Sequence, residues 1–127
     1  MTMDIHFFLS KKWSMVNKKK SPVKIFNQRG VVRMIYVTGD CHADFTRFNT
    51  KIFPEQYEMT KDDYVIICGD FGGVWNRFEE NKHEKHWMDW LEDRPFATLF
   101  CEGNHENFDR LYSYPVEKWN GGNVHKN

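Results

Sequence analysis

The sequence predicts an α/β fold of order β-α-β-α-β around a parallel sheet. Three features carry that expectation. Three short, continuous apolar runs, "MIYVT" (34–38), "YVIIC" (64–68) and "FATLFC" (96–101), are rich in β-branched and aromatic residues. They lack the polar alternation of a half-solvated strand, as strands buried on both faces do. A helical period separates the second run from the third, and a polar junction containing glycine ends each run.

Taken in order, residues 1–33 differ from the rest. They carry eight Lys/Arg against Asp4 alone, whereas residues 34–127 carry ten against seventeen acids, so a formally neutral chain is basic at one end and acidic over the remainder. "KKWSMVNKKKSPVK" (11–24) has no sustained period and predicts a disordered basic extension. Trp13 and Phe26 among lysines keep open an arm for nucleic acid or an anionic membrane. A start assigned upstream of Met34 is a further alternative. The domain is expected over 34–127, a length that supports one modest core.

The first strand, 34–38, is followed by a short helix candidate, "DFTRFNTKIF" (44–53). The second strand, 64–68, leads to "RFEENKHEKHWMDWLED" (77–93), where Phe78, Trp87, Trp90 and Leu91 recur at helical spacing and Pro95 closes the segment. The third strand, 96–101, completes a unit whose crossovers are right-handed by rule. An aromatic share of 17% predicts a core or pocket walls rich in rings. Cys41, Cys68 and Cys101 form no C-x-x-C pair and are expected to be reduced thiols packed as small hydrophobes, in a cytoplasmic protein. No apolar run approaches the roughly 20 residues of a membrane span.

In open α/β sheets, ligands bind outside the carboxyl ends of the strands. The three junctions "GDCHAD", "GDFGG" and "GNHEN" lie at such ends, and they bring together Asp40, His42, Asp70, Asn104, His105 and Glu106. Carboxylate, imidazole and amide oxygen are donors suited to Mn, Fe or Zn. Paired cations about 3.5–4 Å apart clamp the entering and leaving oxygens of a phosphoryl displacement.

The ordered blocks D-x-H ("GDCH"), G-D-x-G ("GDFGG") and G-N-H-E ("GNHE"), about 30 residues apart over 34–107, resemble the signature of the calcineurin-like metallophosphoesterases. A protein-kinase reading of Asp70-Phe71-Gly72 fails for want of a Gly-rich loop, strand lysine and H-R-D loop. The resemblance implies the amino-terminal half of a two-sheet αββα sandwich, two divalent metals (Mn, Fe or Zn), and hydrolysis of phosphate monoesters or diesters by a metal-bound hydroxide. It implies that Asp40 and His42 bind one metal, Asp70 bridges, Asn104 binds the second, His105 contacts phosphate or protonates the leaving group, and Glu106 orients His105. Two departures stand out. Ala43 replaces the usual glycine, at a cost of on the order of 1 kcal/mol if φ is positive there. The G-H-x-H block of the family is missing before Asn127, where His125 is the last histidine. The alternative function is therefore a catalytically incomplete fragment, inactive alone or completed by a partner chain supplying histidines; a basic-armed nucleic-acid module is the third reading. His83 and His86, in "HEKH", are expected on a solvated face, Trp75, Trp87 and Trp90 in core or pocket wall, and Arg47 and Arg77 within possible reach of a phosphate.

Overall fold

A computed structural model of the chain describes the backbone of residues 21–26 and residues 32–126. Four strands form one sheet in spatial order β1-β2-β3-β4: β1 (Ser21–Phe26), β2 (Val32–Gly39), β3 (Tyr64–Cys68) and β4 (Ala97–Cys101). β2, β3 and β4 are parallel, with Gly39 level with Cys68 and Cys68 level with Cys101, so the three predicted junctions emerge at one edge. β1 runs antiparallel to β2, pairing Ser21 with Val37 and Phe26 with Val32. A strand therefore occupies part of the segment expected to be a disordered extension; residues 1–20 lie outside the described residues. A hairpin of β5 (Val116–Trp119) and β6 (Gly122–His125) follows α2 (Phe108–Ser113).

The predicted helix at 44–53 is replaced by two 3-10 turns, Thr46–Phe48 and Pro54–Glu58. Local side chains explain it. Asp44 accepts the N–H of Thr46 at 3.1 Å, and Asn49 accepts those of Lys51 and Ile52 at 3.0 and 2.9 Å. Such bonds offer the backbone an alternative to the helical ladder, and Pro54 forecloses continuation. The second predicted helix exists but starts late, as α1 (Lys82–Glu92). Asn81 is the reason: its side chain accepts the N–H of Glu84 at 2.8 Å, a helix N-cap. Phe78 is left ahead of the helix and 82% exposed, not on its apolar face.

One sheet face, through Tyr36, Val65, Ile67 and Phe100, packs on Phe45, Phe48, Phe53, Phe71 and Phe96, with Trp87 and Trp90 of α1 against the margin. The aromatic core predicted from composition is this layer. The opposite face carries Ile35, Tyr64 and Leu99, covered in part by Trp119 of β5. Among the cysteines only Cys41 belongs to the core, and burial pushes its thiol up to about 11. Cys68 is exposed and hydrogen-bonded to the half-buried Cys101, a bond that holds Cys68 down to about 7. Among the described residues, no helix is long and apolar enough to cross a membrane.

Candidate metal centre

Each junction leaves its strand through a sharp turn. Asp40, His42, Ala43 and Asp70 have φ of 50°, 47°, 62° and 44°, all in the left-handed region that non-glycine residues seldom enter. Four such residues at neighbouring strand tips mark a site whose geometry overrides local preference. The turns are stitched together by backbone bonds from Asp40 N–H to Gly69 O (3.1 Å), His42 N–H to Asp70 O (2.8 Å) and Ala43 N–H to Phe71 O (2.9 Å). Gly103 supplies the close approach: a Cβ there would collide with the Asp70 carboxylate and amide. Arg47 donates to Thr38 Oγ1, Gly39 O and Asp40 O at 3.0, 2.8 and 3.2 Å. Its guanidinium thus ties off the end of β2, which accounts for it without a substrate phosphate.

Asp70 is the centre of the arrangement. Its Oδ2 lies 3.7 Å from His42 Nε2 and 3.1 Å from His105 Nδ1, and its Oδ1 accepts the His105 N–H at 3.0 Å. The His105 amide, then its ring, then the charges of His105 and His42 hold the Asp70 carboxyl below the ordinary value, against the opposing effect of burial. Donor atoms about 2.1 Å from one ion stand roughly 3.0–3.4 Å apart in octahedral or tetrahedral coordination; the 3.1 Å spacing to His105 falls within that range and the 3.7 Å spacing to His42 lies just outside it. Among the described residues, the group of His, Cys, Asp and Glu whose donors lie within 4.8 Å of one another is His42, Asp70 and His105. Both imidazoles are more than half exposed, open to a ligand from solvent.

The remaining candidates fall around this trio. Asp40, exposed, places its Oδ1 4.0 Å from the point where a Cβ on Gly69 would stand and is not one of the three grouped donors. Asn104 is exposed beside His105. The Glu106 carboxylate was expected to orient His105, but it is buried and turned elsewhere. It accepts the N–H groups of Phe71 (2.6 Å), Gly72 (3.1 Å) and Gly103 (3.4 Å), bracing the loop that carries Asp70. His105 is oriented by Asp70 instead. Sequence reasoning missed Glu84, which is buried and accepts the N–H groups of Trp75 and Asn76 while pairing with Arg110 at 2.6 Å. A signal existed in its place three residues after Asn81, the capping-box position, although its carboxylate turns to the preceding loop rather than to the cap. His83 lines the cleft shared by His42 and His105, while His125 lies on β6 with Nδ1 2.9 Å from Tyr114 O.

The profile of the calcineurin-like phosphoesterase family matches residues 33–126. The chain belongs to the calcineurin-like phosphoesterase family. Similar proteins include lariat debranching enzyme A of Xenopus laevis, 28% identical over 103 residues that cover 72% of this chain and 19% of that protein. The lariat debranching enzyme of Arabidopsis thaliana is also 28% identical, with 72% of this chain and 25% of that protein covered. That of Danio rerio is 25% identical, with 72% and 18% covered. The chain thus spans about a fifth to a quarter of the length of these relatives. No solved structure matches it. Calcineurin-like phosphoesterases generally use divalent metals, and the three-donor group around Asp70 is a possible site for one.

Proposed function

We propose that this calcineurin-like domain, taken as 34–127, is a divalent-metal-dependent phosphoesterase acting on phosphate monoesters or diesters. The single observation that carries the reading is Asp70 Oδ2 standing 3.7 and 3.1 Å from nitrogens of His42 and His105 at the tips of parallel strands. A bound divalent ion supplies Lewis-acid polarisation of a phosphoryl oxygen and an acidified water. His42, Asp70 and Asp40 would hold one ion, and Asp70 and Asn104 would serve a second, with Mn, Fe or Zn fitting the donors. His105, its Nδ1 turned to Asp70, offers Nε2 to the phosphate and passes a proton from that atom to the departing alcohol. Glu106 acts through the loop backbone. A cytoplasmic setting suits reduced, unpaired cysteines. The printed names of the lariat debranching relatives support a lariat as one candidate substrate.

The test is hydrolysis of an aryl phosphate by the full chain with added Mn²⁺, against Asp70→Asn. Turnover should depend on Mn²⁺ and fall at least 100-fold in the variant; equal rates in both proteins would end the proposal. A second reading is favoured by the donor count, since with His105 given to the phosphate only His42 and Asp70 of the trio remain as donors and coordination positions stay open. On that reading a partner chain supplies further imidazoles. Stoichiometric Mn²⁺ binding without turnover, restored by adding such a partner, would establish it.

A further inference from the structure

Trp75 stands apart from the other described tryptophans. Trp87 and Trp90 pack on the core and Trp119 on the opposite sheet face, whereas Trp75 is 57% exposed. Yet its backbone is held firmly. Glu84 Oε1 accepts the N–H of Trp75 at 2.6 Å and of Asn76 at 2.5 Å. The carbonyl of Asn76 in turn accepts from Asn107 Nδ2 at 2.7 Å and Arg110 Nη1 at 3.1 Å. Glu84 and Arg110, with side chains only 8% and 11% exposed, close the arrangement as an ion pair. A buried ion pair adds little net stability over an apolar substitute, so its consequence here is positional: it fixes the main chain beneath a solvent-facing indole.

That indole borders two clefts. One, of about 520 Å³, also contains His42, His105 and His83. The other, of about 440 Å³, is lined also by Arg77, Glu106, Asn107, Phe108 and Asp109. Trp75 is therefore a wall shared by the donor group and by a second cleft holding a cation, two carboxylates and another aromatic side chain. A phosphate contacted by His105 Nε2 would have its organic substituent in the cleft that Trp75 also lines.

We propose that Trp75 is the stacking surface for a planar base attached to the phosphate, which makes nucleoside phosphate esters the substrate class. The inference rests on the phosphoester reading of the Asp70 site. Stacking on an aromatic side chain is tolerant of base identity because every base offers a π face. The expected specificity is therefore for the presence of a base, not for which base.

The experiment is calorimetric titration of the full chain, with Mn²⁺ present, by adenosine 5′-monophosphate and by ribose 5-phosphate, which has the same phosphate and sugar but no base. Wild type should prefer the nucleotide by on the order of tenfold or more. Trp75→Ala should abolish that preference and leave ribose 5-phosphate binding within about twofold; Trp75→Phe should keep most of it. Trp75→Leu, which preserves apolar bulk without a ring, should behave as the alanine variant and stands in for it if that variant does not fold. A nucleotide preference that survives removal of the ring, or equal affinity of wild type for both ligands, overturns the stacking role alone. Failure of wild type to bind either ligand overturns both the stacking role and the phosphoester site beneath it.

Discussion

Glu106→Gln separates a residue that braces the loop from one that tunes the imidazole. Glu106 is 8% exposed, and its two carboxylate oxygens accept from Phe71, Gly72 and Gly103 at 2.6, 3.1 and 3.4 Å. Glutamine keeps one acceptor oxygen and puts an amide donor where the other stood. If the oxygen stays on Phe71 and Gly103, the new NH₂ group faces the Gly72 N–H, donor against donor. One charge-assisted hydrogen bond is lost, about 1.5–3 kcal/mol, and the other two weaken as the charge disappears. A total near 3 kcal/mol is a large part of the ~5–15 kcal/mol that stabilises a typical domain. With a urea dependence of about 1–3 kcal/mol/M, the midpoint should fall by roughly 1–3 M. Tryptophan fluorescence in a urea titration reads that shift, and a parallel Mn²⁺ titration should show weaker binding because the loosened segment carries Asp70. A variant with an unmoved urea midpoint and unchanged Mn²⁺ affinity, but reduced turnover, would refute the reasoning. It would return Glu106 to the role first expected from its place after His105.

Two further outcomes follow from the same geometry. Ala43 has φ of 62°, so Ala43→Gly should raise stability by about 0.5–1 kcal/mol in thermal or urea unfolding, the relief of left-handed strain exceeding the added unfolded-state entropy. Arg110→Ala leaves the Glu84 carboxylate buried without its counter-ion and should cost roughly 3 kcal/mol at neutral pH. It should also alter the acid limb. Burial pushes Glu84 up, but the Asn76 amide, Arg110 and the Trp75 amide together bring it below its ordinary value. In wild type its contribution is present above the unfolded carboxyl range and is lost as pH falls through the lower folded value. Without Arg110 that folded value rises, so acid unfolding should begin at a higher pH; superimposable acid titrations would contradict this.

The strands and the edge at which they meet were legible because each carries its own pattern. "YVIIC" is a strand at Tyr64–Cys68 as read, and the glycine-led junctions meet because parallel pairing puts Gly39, Cys68 and Cys101 in register. What escaped was decided by side chains reaching the backbone. Asp44 and Asn49 divert the segment after β2 into turns, Asn81 delays α1, and Glu106 serves three amides that no residue spacing reveals. The pairing of 21–26 with β2 was hidden because a lysine-rich context outweighs a six-residue strand in composition, while the open edge of β2 supplies its backbone partner. Trp75 was read as core or pocket wall, and it is wall: it lines both clefts. What residue spacing does not reveal is that its N–H is held by the carboxylate of Glu84, nine residues later in the chain.

The strained turns and the polar groups beneath them form one physical argument about the site. Residues held in sparsely populated backbone regions cost of order 1–3 kcal/mol each and persist only where surrounding structure over-determines them. Asp40, His42, Ala43 and Asp70 are four such residues within one edge of a small sheet. Arg47 fixes the carbonyls of Gly39 and Asp40, Glu106 fixes the amides after Asp70, and Asp70 itself accepts the His105 amide. These bonds offset strain that relaxation of the turns would otherwise remove. Holding Asp70 Oδ2 close to two imidazoles thus depends on side chains outside the donor trio. On this account, metal affinity should respond to Glu106 even though its carboxylate is occupied by the backbone and not by the metal.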